Sequence, residues 1–529
     1  MLVYLYSHFL NRMDTEKTDI EIELKFLVSD NVIAQIPAII TEFAKKVINK
    51  PSRNLQNAYF DTANRELRAL DIGLRTRCFT GETCNDNQCE QTIKLAGQVI
   101  GGLHQRPEFN LPLEGKRPDL SLFGANIWPH GMQVDVINKN IYPIFSTHFI
   151  RRTWILETES GSKIELVLDK GEISASKQVT PICEVEMELV SGSRADLFIL
   201  AKKLLDRSEV RLGLYSKAAR GYMLADNKPL VAETKLSYVS LIKNSSLEQA
   251  FESCLQHGIQ FVQKHEQCYF DNPALHTLKR INDGVSLIKH VFTLFSSILN
   301  KDKLLPLLSE LKWLLSELSW VETAVQLKNY TSKKHAYYKK IKNAPELTQV
   351  IDSLKLQHPD VVKMHQVFTS ARYNHLILNL TIFLVENGWK SQWNANQLQV
   401  ADQKVIDKAA SLFESDWNEM QNLMRSEQEI SESSYIAQKE KLERNLLSGC
   451  CLGSLFNEGL REEFRTPWLD IIHGIDELNT LDYLKRLCTE QHDDSLNKIQ
   501  TWLTQKSTNL LLAMEQSRLA TFKLVPYWR

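Results

Sequence analysis

Glu21-Ile22-Glu23-Leu24-Lys25-Phe26 alternates without a break, charged at every odd position and apolar at every even one. Side chains of a strand point to opposite faces with a period of two, so this segment reads as a strand with one charged and one apolar face. The same alternation returns at Leu74-Arg75-Thr76-Arg77, Glu90-Gln91-Thr92-Ile93-Lys94, Arg106-Pro107-Glu108-Phe109, Lys163-Ile164-Glu165-Leu166-Val167-Leu168-Asp169 and Glu184-Val185-Glu186-Met187-Glu188-Leu189. Gly-containing or polar links such as Ala96-Gly97-Gln98 and Ser160-Gly161-Ser162 separate them. Two helical stretches interrupt, over 32–49 and 194–209, the second with an apolar stripe through Leu197, Leu200, Ala201, Leu204 and Leu205. Up to about residue 225 the chain is therefore read as mostly antiparallel β.

Beyond a linker at 226–234 the alternation stops. Apolar residues recur at helical spacing over 251–270, 276–299, 304–327, 361–386, 402–424, 434–447, 481–488 and 496–514, with breaks at Asp271-Asn272-Pro273 and Thr466-Pro467. This half, 235–529, reads as a bundle of antiparallel helices. The expected fold class is α+β and multidomain: an N-terminal eight-stranded antiparallel barrel with helices, then an all-α bundle.

The chain has 529 residues, 63 Lys plus Arg against 64 Asp plus Glu, 43% apolar and 9% aromatic residues. At roughly 100–200 residues per domain this excludes a single small module. Ordinary globular composition with a net charge of −1 excludes a largely disordered chain and a wholly basic coat for nucleic acid. Nine cysteines, Cys78, Cys84, Cys89, Cys183, Cys254, Cys268, Cys450, Cys451 and Cys488, include no CxxC pair and read as reduced thiols of a cytosolic protein. The opening MLVYLYSHFLNRMD has neither a basic segment nor a small-residue cleavage site. Residues 1–18 are expected to be a disordered extension, with Met13 a second usable start. The longest apolar run, near Leu376 to Val385, is interrupted by Asn379 and Thr381, well short of the roughly 20 residues a membrane span needs. A cytoplasmic protein without membrane segments is expected.

A charged strand face ordinarily faces water. Here at least six strands share the pattern, and the charges are of two kinds: carboxylates (Glu21, Glu23, Asp169, Glu184, Glu186) and cations (Lys25, Arg75, Arg77, Lys94, Arg106, Arg151). Were the sheet closed with these faces inward, the lumen would suit a linear polyphosphate, which needs spaced cations along its length. Its hydrolysis also needs Mg²⁺ or Mn²⁺, which prefer the oxygen ligands that close carboxylates supply. No convincing Ser-His-Asp set or reactive cysteine site is present. His104 is read as structural, and Gly101-Gly102 as a turn before a strand, since it does not open a helix.

Glu21-Ile22-Glu23-Leu24-Lys25 resembles the ExExK signature that opens CYTH domains, the triphosphate tunnel metalloenzymes. The elements that follow stand in the family's order: Tyr59-Phe60-Asp61-Thr62, Leu74 to Arg77, Thr92-Ile93-Lys94, Arg106-Pro107-Glu108, Arg151 ahead of Trp154, Glu165 to Asp169, Glu184-Val185-Glu186 and Ser216-Lys217-Ala218-Ala219-Arg220. The likeness covers about 19–225. The helical half, 235–529, resembles a CHAD domain, and the combination is similar to bacterial inorganic triphosphatases. CHAD domains open a helix with a His followed by close-set cations. Here His276 is followed by Lys279 and Arg280, then by Asn282, Asp283 and Val285, with Lys289 and His290 further on.

The resemblance implies that Glu21, Glu23, Asp169, Glu184 and Glu186 hold Mg²⁺ or Mn²⁺. It implies that Lys25, Arg75, Arg77, Lys94, Arg106, Arg151 and Lys217 bind the phosphates, with Lys25, Arg151 and Lys217 catalytic and Lys217 carried by a strand-end Ser-Lys element. The implied substrate is inorganic tripolyphosphate, cleaved to pyrophosphate and phosphate by metal-activated water. His276, Lys279, Arg280 and Lys289 are implied as a surface of the helical half for long-chain polyphosphate. Lys333, Lys334, Lys339, Lys340, Lys342, Arg372, Lys439, Lys441 and Arg444 are further candidates for an anion-facing surface. Sequence-specific nucleic-acid recognition is not expected. The rival readings are an adenylate cyclase or a thiamine or nucleoside triphosphatase of the same fold, and a non-catalytic polyphosphate binder.

Overall fold

In the computed structural model, residues 20–80, 88–207, 209–335, 337–424, 430–490 and 496–529 are described. They form two compact units, one of residues up to Val231 together with His365–Ile382, the other of Ala232–Met364 and Phe383–Arg529. The extension expected over 1–18 lies outside the described residues, as does Cys84. Among the described residues no helix is long and apolar enough to cross a membrane.

The first unit is built on ten strands: β1 (Ile20–Val28), β2 (Lys46–Asp61), β3 (Gly73–Thr80), β4 (Gln88–Lys94), β5 (Gln98–Ile100), β6 (Leu103–Glu114), β7 (Tyr142–Glu157), β8 (Lys163–Ala175), β9 (Gln178–Ser191) and β10 (Val210–Leu212). Their order is β10-β1-β9-β8-β7-β2-β3-β4-β6-β5, and β6 also pairs with β1, so eight of them close into an antiparallel barrel. β1 makes the closure. One of its edges pairs with β9, and the other is shared by β6 along Ile20–Leu24 and β10 along Phe26–Val28. Closure removes the free edges that an open sheet would expose.

Because the barrel is clad outside, both faces of β1 are buried. Leu24 and Phe26 lie in the apolar shell, while Lys25 is only 1% exposed. The alternation therefore marks inside against outside, with the charged face inward. Outside β3, β4 and β6, an apolar cluster gathers Leu67, Ile72, Leu74, Ile93, Leu120, Phe123 and Ile137. A second joins Leu55, Tyr59, Phe145, Phe149, Ile173, Ile182 and Tyr222.

The helices of this unit include α1 (Ile36–Phe43), α2 (Glu66–Ala69), α3 (Arg194–Leu205) and α4 (Lys217–Ala225). The helix read over 32–49 ends at Phe43, because from Lys46 the chain pairs with β7, where β-branched Val47 and Ile48 suit a strand. The helix read over 194–209 likewise stops at Leu205, ahead of β10.

In the helical unit run α5 (Leu247–Asp271), α6 (Leu275–Leu294), α7 (Lys301–Glu317), α8 (Val321–Tyr330), α9 (Tyr338–Lys342), α10 (Pro345–Gln357), α11 (Ala371–Val385), which extends from the first unit, α12 (Val405–Met424), α13 (Glu432–Leu452), α14 (Glu458–Glu490) and α15 (Asn497–Thr521). The break expected at Thr466-Pro467 is absent: α14 runs through Pro467. Proline removes the bond to residue 463, and Glu463 is exposed, so water can satisfy that carbonyl. The segment read as one helix over 304–327 is two, α7 and α8. The cysteine reading also changes. Cys78 and Cys89 face each other across β3 and β4 and form a disulfide, whereas Cys183, Cys254, Cys268, Cys450, Cys451 and Cys488 are free.

Candidate active site

The barrel encloses a lumen of about 970 Å³, open mouths included. Seven cations line it, Lys25, Arg75, Arg77, Lys94, Arg106, Arg151 and Lys217, all expected from the sequence. Five carboxylates join them, Glu21, Glu23, Glu165, Glu186 and Glu188. Two of the five, Glu165 and Glu188, were not among the expected ligands. Their signal was present, since each continues the alternation of its strand by one step.

Asp169 and Glu184 lie in the wall behind the lumen, both 0% exposed. With Glu186 they are the tightest acidic group among the described residues, close enough to share one ion. That group is already filled by the chain's own cations. Arg151 grips Asp169 through Nε at 2.7 Å and Nη2 at 2.6 Å, and reaches Glu186 at 3.0 Å. Lys217 Nζ lies 2.7 Å from Asp169 and 3.0 Å from Glu186 and also pairs with Glu184. Lys25 donates to Glu184 at 3.1 Å and to Glu186. Burial alone would raise Glu186, but Lys217, Lys25 and Arg151 outweigh it and hold the carboxyl well below the usual range. Burial would likewise lower Lys25, and Glu184 and Glu186 reverse that. This network is electrically satisfied.

The opposite part of the lumen is not. Register places Glu23 beside Glu188, and Glu165 on the far side of Glu188. Neither Glu23 nor Glu188 forms an ion pair among the described residues, and Glu165 meets only the exposed Lys50, at 3.3 Å. Burial, then the charges of Glu165 and Glu23, push Glu188 up to about 7. Glu21 rises to about 8, burial outweighing the adjacent Lys94. Carboxylates drawn into a lumen and facing one another in this way favour either protons or a divalent cation.

The cations show the converse. Arg77 donates to Asn57 at 2.8 Å, and Asn57 is itself fixed by donating to Thr147 at 2.7 Å. Burial, then the charges of Arg75 and Arg151, pull Arg77 down to about 9, the mark of a guanidinium crowded by its own kind. Arg75 reaches Glu108 at 3.3 Å and Arg106 reaches Asp71 at 3.2 Å, yet the buried Nε of each has no partner among the described residues. A buried donor without an acceptor carries a desolvation cost.

Lys217 is carried by a helix, not by a strand end. Ser216 caps α4 by accepting from the Ala219 N–H at 3.1 Å, and Lys217 is its first residue, 7% exposed. α4 packs on β7, β8 and β9, with no room for a side chain at Gly221, where a Cβ would lie 2.1 Å from the Phe145 ring. Tyr222 on the same helix donates to the buried Asp61 at 3.1 Å, and Asp61 also accepts from the backbone of Leu67 and Arg68 at the start of α2. The Tyr59-Phe60-Asp61-Thr62 segment thus anchors the helix that delivers Lys217.

His104 lines the lumen but is buried, its Nε2 3.3 Å from the Gly213 carbonyl. Burial and then Lys25 push it down to about 3, so it is neutral. Gly101-Gly102 forms the β5–β6 turn at φ of +57° and +82°, with a Cβ on Gly101 excluded by Thr381. Of the four residues expected to bind anions in the helical unit, two are already ion-paired within the chain. Lys279 pairs with Glu322, and Arg280 meets Asp283 at 3.0 Å and donates to the Thr234 carbonyl at 2.8 Å. His276 is exposed and Lys289 half-buried.

Residues 19–222 match the family model for the CYTH domain. Over 234 residues the chain is 32% identical to the inorganic triphosphatase of Haemophilus influenzae, a match covering 44% of this chain and 63% of that protein. The chain thus spans less than two thirds of that relative's length. It is also similar to the crystal structure of the CHAD domain from the plant Ricinus communis, at 15% identity and a TM-score of 0.38, covering 55% of this chain and 97% of that one. A third likeness is to the RNA triphosphatase domain of a mimivirus mRNA capping enzyme, at 12% identity and a TM-score of 0.24, covering 38% and 97% of the two chains.

Proposed function

We propose that the CYTH domain of residues 19–222 hydrolyses inorganic tripolyphosphate to pyrophosphate and phosphate within its lumen, with a divalent cation as cofactor. The observation that carries this reading is the split of unmet charge inside one enclosed space. Glu23 and Glu188 form no ion pair among the described residues, the buried Nε of Arg75 and of Arg106 has no partner among them, and Arg77 is crowded by Arg75 and Arg151. A polyphosphate with its metal satisfies both at once, which a simple anion or a simple cation does not.

Glu21, Glu23 and Glu188, flanked by Glu165 and Glu186, would hold the ion. The donors are all oxygen, which fits Mg²⁺ or Mn²⁺. When bound, such an ion polarises phosphate oxygens and makes a water molecule more acidic. Arg75, Arg77, Lys94 and Arg106 bind and orient the phosphate chain from the wall carried by β3, β4 and β6. Lys25, Arg151 and Lys217, held rigidly by Asp169, Glu184 and Glu186, present positive charge where negative charge develops at the reacting phosphate. Fixed by buried carboxylates, they need no reorganisation as the reaction proceeds.

The inorganic substrate is favoured over a nucleotide because Tyr59 and Phe149, the aromatic residues of the lumen, are 5% and 2% exposed and offer no open face to a base. The test is phosphate release from tripolyphosphate, ATP, thiamine triphosphate and long-chain polyphosphate, with Mg²⁺ or Mn²⁺ and with EDTA. Tripolyphosphate is expected to be cleaved fastest, and only with metal. Release from none of them in the presence of metal, or faster release from ATP, would overturn the proposal.

A further inference from the structure

Between Glu322 and Glu346 the chain has no acidic residue and six lysines, Lys328, Lys333, Lys334, Lys339, Lys340 and Lys342. In a chain whose charges otherwise nearly cancel, this is a local excess of six. All six lie on the surface, at the end of α8, the following turn and α9. None forms an ion pair among the described residues, unlike the basic residues of neighbouring α6, where Lys279 and Arg280 are both paired. Like charges this close repel and destabilise the segment by a few tenths of a kcal/mol per pair.

The segment is nevertheless firmly held. Tyr330, 1% exposed, stacks on Tyr337 with ring centroids 5.6 Å apart, and His335 meets both rings edge-on at 5.0 and 4.9 Å. Trp502 of α15 closes on Tyr337 at 5.3 Å, and Lys506 of the same helix sits 5.3 Å over the Tyr337 ring, adding a seventh cation. The lysines are therefore displayed on an aromatic-anchored platform.

We infer that this platform binds single-stranded nucleic acid, without regard to sequence, through its phosphates and the faces of its bases. The inference is independent of the activity of the barrel. A bilayer fits poorly, since Ile341 of the segment is buried and offers no apolar side chain to insert. A duplex groove fits poorly, since α9 has only five residues and the lysines spread around a turn. A flexible chain can follow that spread. Tyr338, half-buried with Lys342 6.0 Å over its ring, and the half-buried His335 supply flat groups of the kind on which bases stack.

The test is anisotropy of the intact protein with fluorescein-labelled oligouridine and oligothymidine, each about 15 nucleotides long, across a salt series. Six phosphate contacts predict a log–log salt slope of about −4 for a single strand. Replacing Lys333, Lys334, Lys339 and Lys340 by Gln together should bring the slope to about −1 and weaken binding at least tenfold. The matching four Lys→Arg replacements should restore it. Retained melting temperature and tripolyphosphate cleavage in both variants would show that the folds are intact. The inference fails if neither oligomer binds at about 50 mM salt, or if the Gln variant keeps the wild-type slope. It fails equally if a duplex, phosphatidylserine vesicles or long-chain polyphosphate bind through these lysines and the single strands do not.

Discussion

Half-buried Glu188 and buried Asp169 are acids on adjacent strands, yet their neighbours give them opposite chemistry. Asp169 is clamped by Arg151 and Lys217, which overcome the effect of burial and keep it ionised. Glu188 faces Glu23 and Glu165 and is pushed up to about 7. Glu188→Gln should therefore raise the Mg²⁺ concentration needed for half-maximal activity at least tenfold, with the melting temperature almost unchanged. Asp169→Asn removes one of the two carboxylates that Arg151 and Lys217 share and should lower the melting temperature by several degrees, an effect of about 3 kcal/mol for breaking a buried pair. Metal titration of activity and thermal melts separate the two. The helical unit offers a pH test. His290 donates to or accepts from Ser448 at 3.0 Å, and burial, then Arg444, pull it down to about 4. Its folded pKa lies below the unfolded value near 6.5, so its contribution is complete above pH 6.5 and is lost as pH falls toward 4. The full loss is on the order of 3 kcal/mol. Wild type should therefore lose more melting temperature than His290→Gln between pH 7 and pH 5.

Among the elements, β3 and β4 carry much of the cation-lined wall of the lumen: Arg75 and Arg77 on one, Thr92 and Lys94 on the other. The Cys78–Cys89 disulfide joins these strands across a sequence separation of 11. Closing a loop of that size restricts the unfolded chain by about 3 kcal/mol in the chain-entropy view. The Cys78→Ala, Cys89→Ala double variant should thus melt several degrees lower, and, on the proposed function in which Arg75 and Arg77 bind the substrate, its KM for tripolyphosphate should rise more than kcat falls. Equal loss in both constants would place the disulfide's influence on the reacting end instead. α4 shows a related dependence. Its nine residues are positioned by the Ser216 cap, the close approach at Gly221 and the Tyr222–Asp61 bond, so the lysine it begins with inherits their rigidity.

At the scale of the molecule, the first compact unit is not a continuous stretch of chain. His365–Ile382 belongs with it. Within that unit the Leu212 N–H donates to Asn374 at 3.3 Å, His375 meets Asp206 at 2.8 Å and Thr381 fills the space over the Gly101 turn. A chain ending after residue 231 loses these contacts, one of them at β10, the strand that shares an edge of β1 with β6. Such a truncation should still show metal-dependent cleavage but melt at least 5 °C below the intact chain, as scanning calorimetry would report. An unchanged melting temperature would mean that residues 365–382 do nothing for the barrel.

The sequence by itself determined the inward and outward sets of each strand, because a period of two is a local property of the backbone. From it the change from strands to helices near residue 225 and six of the seven lumen cations could be read; the seventh, Lys217, lies on a helix and was expected only from the family resemblance. Helix ends near residues 43 and 205 could not, since strand pairing with distant β7 and β1 overrode local preference. Nor could the continuity of α14 through Pro467, which depends on which side of the helix meets water. Only the tertiary structure decided which carboxylates are free. Glu184, Glu186 and Glu188 follow one another at the same spacing on β9, indistinguishable by pattern. Closure of the barrel sets Glu186 beside Lys25, Glu188 beside Glu23 and Glu184 beside Asp169, with Lys217 delivered by α4. Whether a buried acid is already paired or still needs a cation depends on neighbours from remote strands, and no local periodicity records them.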